Sequence, residues 1–353
     1  MVRGLDTTSL TGWRRILSYL HMTGNYDLIN ACGLVSVAFH AASNSIISTL
    51  SWTRLGNDSY SLATAEHRAA ATVLPQLAVA ASRFANLRSV DLRGCGLAAF
   101  PGVLRSRDMV QIELSCNAIH LPEDISRFKH LAVLRVARCG LTRLPETLSM
   151  CTDLEALEIH YNPELRSLPE KLGACANLRF VGAMSCGLTT LPDSLFACTK
   201  LNALHLGGNP LVDVRNLGRI GNLKQLVTVS LAQCGLRSLP ESLFECIAIR
   251  QLELDGNPLS AISAGIGRLR CLEELRVRNT QHARNASEHG ITALSSALFD
   301  CTRLVALDLS GNHIGSLSPR IAKVRGEPRL PLHLKDMFSI ANPFLSHNLT
   351  CSP

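Results

Sequence analysis

The stretch from Leu131 to Leu154, LAVLRVARCGLTRLPETLSMCTDL, sets a frame that most of this chain repeats. With Leu131 as position 1, Leu134 and Val136 fall at positions 4 and 6, Cys139 at 9, Leu141 at 11, and Leu144-Pro145 at 14 and 15. The frame opens at Leu87, Met109, Leu131, Leu154, Leu178, Leu201, Leu226, Ile249, Leu272 and Leu304. Ten units in one register leave little choice of architecture. A unit this short cannot bury its apolar face alone, so neighbours must stack into one elongated core. Residues around positions 3 to 7 are expected to form a short strand. Positions 4 and 6 then point inward and positions 3, 5 and 7 outward, because strand side chains alternate. The other leucines and the Pro-led segment carry the chain back along the convex side.

This frame resembles the leucine-rich repeat of the LP-containing type. The resemblance implies an α/β solenoid, a curved horseshoe with a parallel concave sheet and an N-terminal helical cap. Position 9 reads Cys95, Asn117, Cys139, Asn162, Cys186, Asn209, Cys234, Asn257, Thr280 and Asn312. In that family this residue sits inside the turn and hydrogen-bonds neighbouring backbone groups. Asn serves with both ends of its amide, whereas Cys is a weaker partner but a small apolar one. The alternation suggests a two-unit ancestral block. Bacterial ubiquitin ligases with LP repeats carry a separate catalytic domain after the repeats, and this chain is expected to be too short for one.

Hydrophobic content of 46% and aromatic content of 5% suit a leucine-filled core with few aromatic anchors. The 13 cysteines do not read as a disulfide framework. Cys95, Cys139, Cys186 and Cys234 occupy position 9. Cys151, Cys175, Cys198, Cys246, Cys271 and Cys301 precede the next unit's first apolar residue by one to three positions, at a recurrent convex-side slot. No CxxC pair occurs, so no zinc site is expected. Buried free thiols point to a reducing compartment, hence a cytoplasmic protein. The start, MVRGLDTTSL, has no apolar signal core, and no apolar run has membrane-spanning length. The Asn-x-Ser/Thr triplets at Asn57, Asn285 and Asn348 are read as chance.

The formal charge of +7 raises the question of nucleic acid. The outward strand positions mix Asp91, Glu113, Glu158, Glu253, Asp255, Glu274 and Asp308 with Arg93, Arg135, Arg138, Arg276 and Arg278. That is not a basic track with stacking aromatics, so no nucleic-acid partner is expected. The excess charge is assigned to solubility.

Residues 1–60 stand outside the repeat. Trp13, Ile16, Leu17 and Leu20 share one helical face. A loop around Thr23-Gly24-Asn25 leads into a second apolar stretch, Asp27 to His40, and the segment closes on Ser51-Trp52-Thr53-Arg54-Leu55. We read three short helices. Over about residues 10–55 this order resembles an F-box. The resemblance implies that these helices hold the Skp-type adaptor of a cullin ubiquitin ligase while the repeats select the substrate. By position, the adaptor contacts would be Ile16, Leu17, Leu20, Leu28, Val35 and Trp52. The same helices also suit the cover that a solenoid's first unit requires, and both readings stand. Residues 61–86 read as a helical connector with a partial repeat, 87–325 as the repeats, and 326–353 as a degenerate C-terminal capping repeat and tail. The polar insertion at 281–290 leaves the solenoid as a surface loop, either a partner contact or a tolerated insertion.

No catalytic constellation is present: the sequence has no P-loop, HExxH or GxSxG pattern. Gly207-Gly208-Asn209-Pro210 belongs to the repeat turn. His160 and His205 lie two units apart, about 10 Å across a sheet, too far to share a metal. No cofactor is expected, and the chain reads as a non-enzyme. What remains is a surface. In the fourth to sixth units the outward residues include Glu158, His160, Phe180, Met184 and His205 among small neighbours, with Tyr161 at one strand's end and Arg135 alongside. Exposed apolar area rimmed by charge marks a partner site. The expected function is protein binding, as a substrate receptor of a cullin-type ligase or as a scaffold in a large cytoskeletal or organellar assembly. No membrane partner is expected.

Overall fold

The computed structural model describes residues 49–51, 87–106, 108–212, 214–279 and 290–314. Eleven three-residue strands form one sheet in which spatial order equals sequence order. They are β1 (Thr49–Ser51), β2 (Ser89–Asp91), β3 (Gln111–Glu113), β4 (Val133–Arg135), β5 (Ala156–Glu158), β6 (Phe180–Gly182), β7 (Ala203–His205), β8 (Thr228–Ser230), β9 (Gln251–Glu253), β10 (Glu274–Arg276) and β11 (Ala306–Asp308). All pairings are parallel. Strands β2 to β11 each open at position 3 of the ten units. The position-4 residue is therefore the middle residue of each strand and pairs with its equivalent next door, as in Leu134↔Leu157 and Leu204↔Val229. These inward residues are buried throughout, from Val90 to Leu307, and join one continuous core.

The chain returns along the convex side in 3-10 turns of three to five residues; no α-helix occurs among the described residues. That departs from the helical half of the α/β expectation. A return segment this short cannot offset the cost of nucleating an α-helix, whereas single 3-10 turns fit it. Pro145, Pro192 and Pro240 precede the turns Glu146–Met150, Asp193–Ala197 and Glu241–Glu245 with φ of −66°, −67° and −68°. The proline ring fixes that angle, and each proline carbonyl accepts the N–H of the turn's leucine at 3.0 Å. In two later units Ser263 and Ser295 take this place, and their hydroxyls accept from the N–H of Gly265 and Ala297, the usual N-cap contact.

Between strand and turn, position 9 satisfies the buried backbone. Asn209 Oδ1 accepts from Cys186 N at 3.0 Å and Leu188 N at 2.9 Å. Its Nδ2 donates to Ala183 O at 2.7 Å and Leu206 O at 2.6 Å. Asn162 and Asn257 do the same for their neighbours. Each Asn thus serves the Cys unit before it as well as its own. Cys186 and Cys234 return a thiol contact to the preceding Asn unit, to Ile159 O at 3.0 Å and Leu206 O at 3.4 Å. A thiol cannot accept two N–H groups in the way an amide oxygen does. In three of the five Asn units, position 10 is Pro163, Pro210 or Pro258, which has no N–H to satisfy; in the other two, Ala118 and His313 donate to Leu97 O and Ile291 O in the unit before. The alternation is therefore a two-unit hydrogen-bonding device.

The described cysteines carry no disulfide, and most are buried in the stack. Burial pushes the thiols of Cys139, Cys186 and Cys234 up to about 11 and that of Cys175 up to about 12. Cys116 is exposed. Alkylation of the native protein followed by peptide mapping is expected to label Cys116 quickly. Cys175, Cys186 and Cys234 should react only as the fold opens; equal labelling would contradict the stack.

One strand precedes the ten units. Leu50 of β1 pairs with Val90, the position-4 residue of the first unit. Counted on that frame in the sequence, Ile47 and Trp52 stand at positions 1 and 6. The sheet thus begins inside the stretch read as the cap. The three cap helices and the candidate adaptor contacts Ile16, Leu17, Leu20, Leu28, Val35 and Trp52 lie outside the described residues. So do the connector at 61–86, Thr280, residues 281–289 of the insertion and the C-terminal unit.

Candidate functional site

In-register pairing lines up positions 3, 5 and 7 as rows across the concave sheet. The position-5 row reads Asp91, Glu113, Arg135, Glu158, Gly182, His205, Ser230, Glu253, Arg276 and Asp308. Its two ends are charged, and ion pairs cross between adjacent strands there. Toward the N-terminal end Arg93 pairs with Glu113 at 3.1 Å and Arg135 with Glu158 at 2.5 Å. Toward the C-terminal end Arg276 pairs with Glu253 and Glu274, and Arg278 with Asp255 at 2.8 Å and Asp308 at 3.5 Å. Pairs this exposed contribute about 0–1 kcal/mol each. Their larger effect here is to occupy the flank arginines: the N-terminal flank is close to balanced, and the C-terminal flank keeps an excess of carboxylate, with Glu253, Asp255, Glu274 and Asp308 against Arg276 and Arg278.

Between the flanks, units five to seven present Phe180, Gly182, Met184, Ala203, His205, Gly207, Thr228, Ser230 and Ala232, with no carboxylate, lysine or arginine. Three rings cross this window. Phe180 meets His205 edge-on, with centroids 5.2 Å apart and planes at 81°, and meets His160 at 6.4 Å and 67°. A methyl group on Gly182 would lie 2.3 Å from His160 Nε2 and 2.7 Å from Phe180 Cε1. Glycine at 182 is what lets both rings lie down on the sheet. His160 is fixed from the other side, where its Nδ1 accepts the Met184 N–H at 3.0 Å. Beside His205 in the next strand, the buried Ser230 hydroxyl has no hydrogen-bond partner among the described residues.

Desolvation holds both imidazoles below the usual histidine value. For His160 it outweighs the pull of Glu158, with His205 adding to the lowering; for His205 it outweighs Glu253 and Glu158. The neutral form also suits the Met184 contact, since protonated Nδ1 could not accept it. The unfolded chain takes up protons near the ordinary value of about 6.5, and the folded chain resists. Stability from this source is therefore complete above that value and is lost as pH falls through the lower folded values. Thermal melts from pH 7.5 to 5 are expected to show a falling melting temperature, and the fall should be smaller in His160→Gln/His205→Gln. An unchanged slope in the double variant would contradict the assignment.

The sequence-selected residues divide into three groups. His160, Phe180, Met184 and His205 come together in the window. Arg135 and Glu158 stand on its edge and take each other. Tyr161 is 46% exposed at the lip, where the strand ends. Sequence reasoning counted Arg138 among the outward charges without selecting it for the site, and passed over Ser230. The Arg138 guanidinium lies over the Tyr161 ring, 4.5 Å from its centroid. A second depression, at the N-terminal edge of the strands, is lined by Arg88, Val110, His130, Asp153, Glu155 and Asn177. Its charges are already engaged: Arg88 with Asp108, and His130 with Asp153 at 3.0 Å. Among the described residues no group of His, Cys, Asp or Glu is placed to hold a metal, and no helix is long and apolar enough to cross a membrane.

Stacked strand-and-turn units, a position-9 amide ladder and a continuous parallel concave face define a leucine-rich repeat solenoid. Solved structures share it. A leucine-rich repeat protein of Leptospira interrogans, LIC12759, superposes with a TM-score of 0.64 at 24% identity, over 70% of this chain and 61% of that one. The leucine-rich repeat domain of the type III effector XopL gives 0.57 at 23% identity, over 86% of this chain and 97% of that domain. At these identities the likeness shows the fold alone. No family model and no curated protein matches the chain.

Proposed function

We propose that this chain is a non-enzymatic binding protein that takes a protein partner on the charge-free window of its concave sheet. The observation that carries the reading is the contrast along that face. Two charged flanks, their ion pairs made across adjacent strands, enclose apolar area built from Phe180, Met184 and small residues. Interface centres have that composition, depleted of charge and enriched in aromatic residues and Met. The test is affinity purification of the full chain with identification of bound proteins, beside Phe180→Glu/Met184→Glu. Both residues face outward, so the variant is expected to fold and to lose the partner at least tenfold. Retention of every partner would overturn the reading.

The F-box resemblance of residues 10–55 supports a finer version, a substrate receptor of a cullin-type ubiquitin ligase. Its helices would hold a Skp-type adaptor through Ile16, Leu17, Leu20, Leu28, Val35 and Trp52, and the window would hold the substrate. A pull-down with that adaptor decides: no binding by the parent, or unchanged binding by Leu17→Ala/Trp52→Ala, ends it. A second reading, a fixed scaffold component of a large assembly, is favoured by β1, which joins residues 49–51 to the repeat sheet rather than to a separate module. It expects co-sedimentation with a large particle, and a freely diffusing monomer in lysate would contradict it.

A further inference from the structure

We propose that Arg138, laid on the Tyr161 ring at the lip of the charge-free window, anchors a carboxylate side chain on an extended segment of the partner protein, whose nearby apolar side chain sits against Phe180 and Met184. The inference rests on the concave-face reading above and names what the window selects.

Charge complementarity is the first argument. Arg93, Arg135, Arg276 and Arg278 on the outward rows each have a carboxylate in an adjacent unit or strand. Arg138 has none within ion-pair distance among the described residues. On the same face Glu158 is already engaged by Arg135 and Glu113 by Arg93. Stacking on a ring uses the face of a guanidinium and leaves its in-plane N–H groups free, the fork that grips a carboxylate with two hydrogen bonds. Arg138 and Tyr161 are both exposed, so the stack is open to solvent.

The backbone supplies the second argument. Position 8 is left-handed in units one to eight and in the tenth. Glycine fills it at Gly94, Gly208, Gly256 and Gly311, whereas Cys116, Arg138, Tyr161, Ser185 and Gln233 hold φ between +54° and +60°. Side chains are strained in this region and glycine is not. What sets the pair Arg138 and Tyr161 apart is that the guanidinium of one unit lies over the ring of the next, a platform the turn itself does not need.

Geometry sets the ligand's spacing. Arg138, at position 8 of the third unit, and Met184, at position 7 of the fifth, stand near the same strand ends, two strand spacings or about 10 Å apart. An extended chain advances about 3.3 Å per residue, so the acidic and apolar side chains stand two to four residues apart.

The experiment uses fluorescein-labelled octapeptides on a Gly/Ser/Ala background, with one Phe or Leu and one Glu two to four residues apart. Copies carry Gln or phosphoserine in place of Glu. Anisotropy titrations of the full chain are expected to show Glu copies binding at least tenfold tighter than Gln copies, with Arg138→Gln erasing the difference. Arg138→Gly has the residue its φ favours. It should melt no lower than the parent and still lose the preference for Glu, which separates anchoring from folding. Equal binding of Glu and Gln copies, a preference for phosphoserine, or a Glu preference that survives Arg138→Gln overturns the carboxylate anchor while the concave reading stands. Absence of binding by every peptide overturns both.

Discussion

Leu206→Asp is expected to unfold the repeat array. Leu206 stands at position 6 of the sixth unit and is fully buried in the stack. Removing the leucine side chain costs about 2–5 kcal/mol through lost burial and the space left behind. The carboxylate would have no counter-charge in the leucine core, which adds several kcal/mol unless it takes up a proton. Together these approach the whole stability of an ordinary domain, about 5–15 kcal/mol. Each unit of a solenoid is held only by its neighbours, so a break at the sixth unit removes support from both halves. Circular dichroism on heating should show the transition lowered by more than about ten degrees, or no folded baseline. A variant that melts like its parent would mean that the frame is misplaced by at least one residue.

Asn209→Ala should cost nearly as much without introducing a charge. The substitution deletes four buried hydrogen bonds and strands two N–H groups, of Cys186 and Leu188, and two carbonyls, of Ala183 and Leu206. Leu206 O keeps only the thiol of Cys234, at 3.4 Å. Each buried group left unpaired costs about 1–3 kcal/mol, so a loss of about 4 kcal/mol or more in urea unfolding is expected. The alternation makes a sharper form of the test. Asn209→Cys should not rescue stability, although cysteine serves at 186 and 234, because the Cys186 and Leu188 N–H groups still lack an acceptor. A stable Asn209→Cys variant would show that Cys and Asn are interchangeable at position 9 and would refute the two-unit device.

The sheet was readable in the sequence because its information is periodic. An error of one residue anywhere would have turned a row of leucines outward, so β2 to β11 open where the frame places them. The turns on the convex side were less readable, since a Pro-led segment of five residues fits an α-helical or a 3-10 turn equally well in composition. Strand β1 was hidden by distance: Ser51 and Ser89 are farther apart than any two consecutive strands among the ten units. The candidate site was readable only in part. His160, Phe180, Met184 and His205 follow from outward positions in adjacent units. The contrast between Arg135 and Arg138 does not. Three residues apart in the same unit, they differ in what lies one unit away, a carboxylate for Arg135 and a phenol ring for Arg138. Ser230 was equally invisible, because its missing partner is a property of its neighbours rather than of serine.

The central claim is that the partner lies on the concave window and not on the convex turns. A photo-crosslinking amino acid placed at Met184 in one full-length variant and at Met150, exposed on the convex side, in another tests it directly. Illumination with the partner identified by affinity purification should join it to position 184 and leave position 150 unmodified. Crosslinking at 150, or equal yield at both positions, would contradict the account.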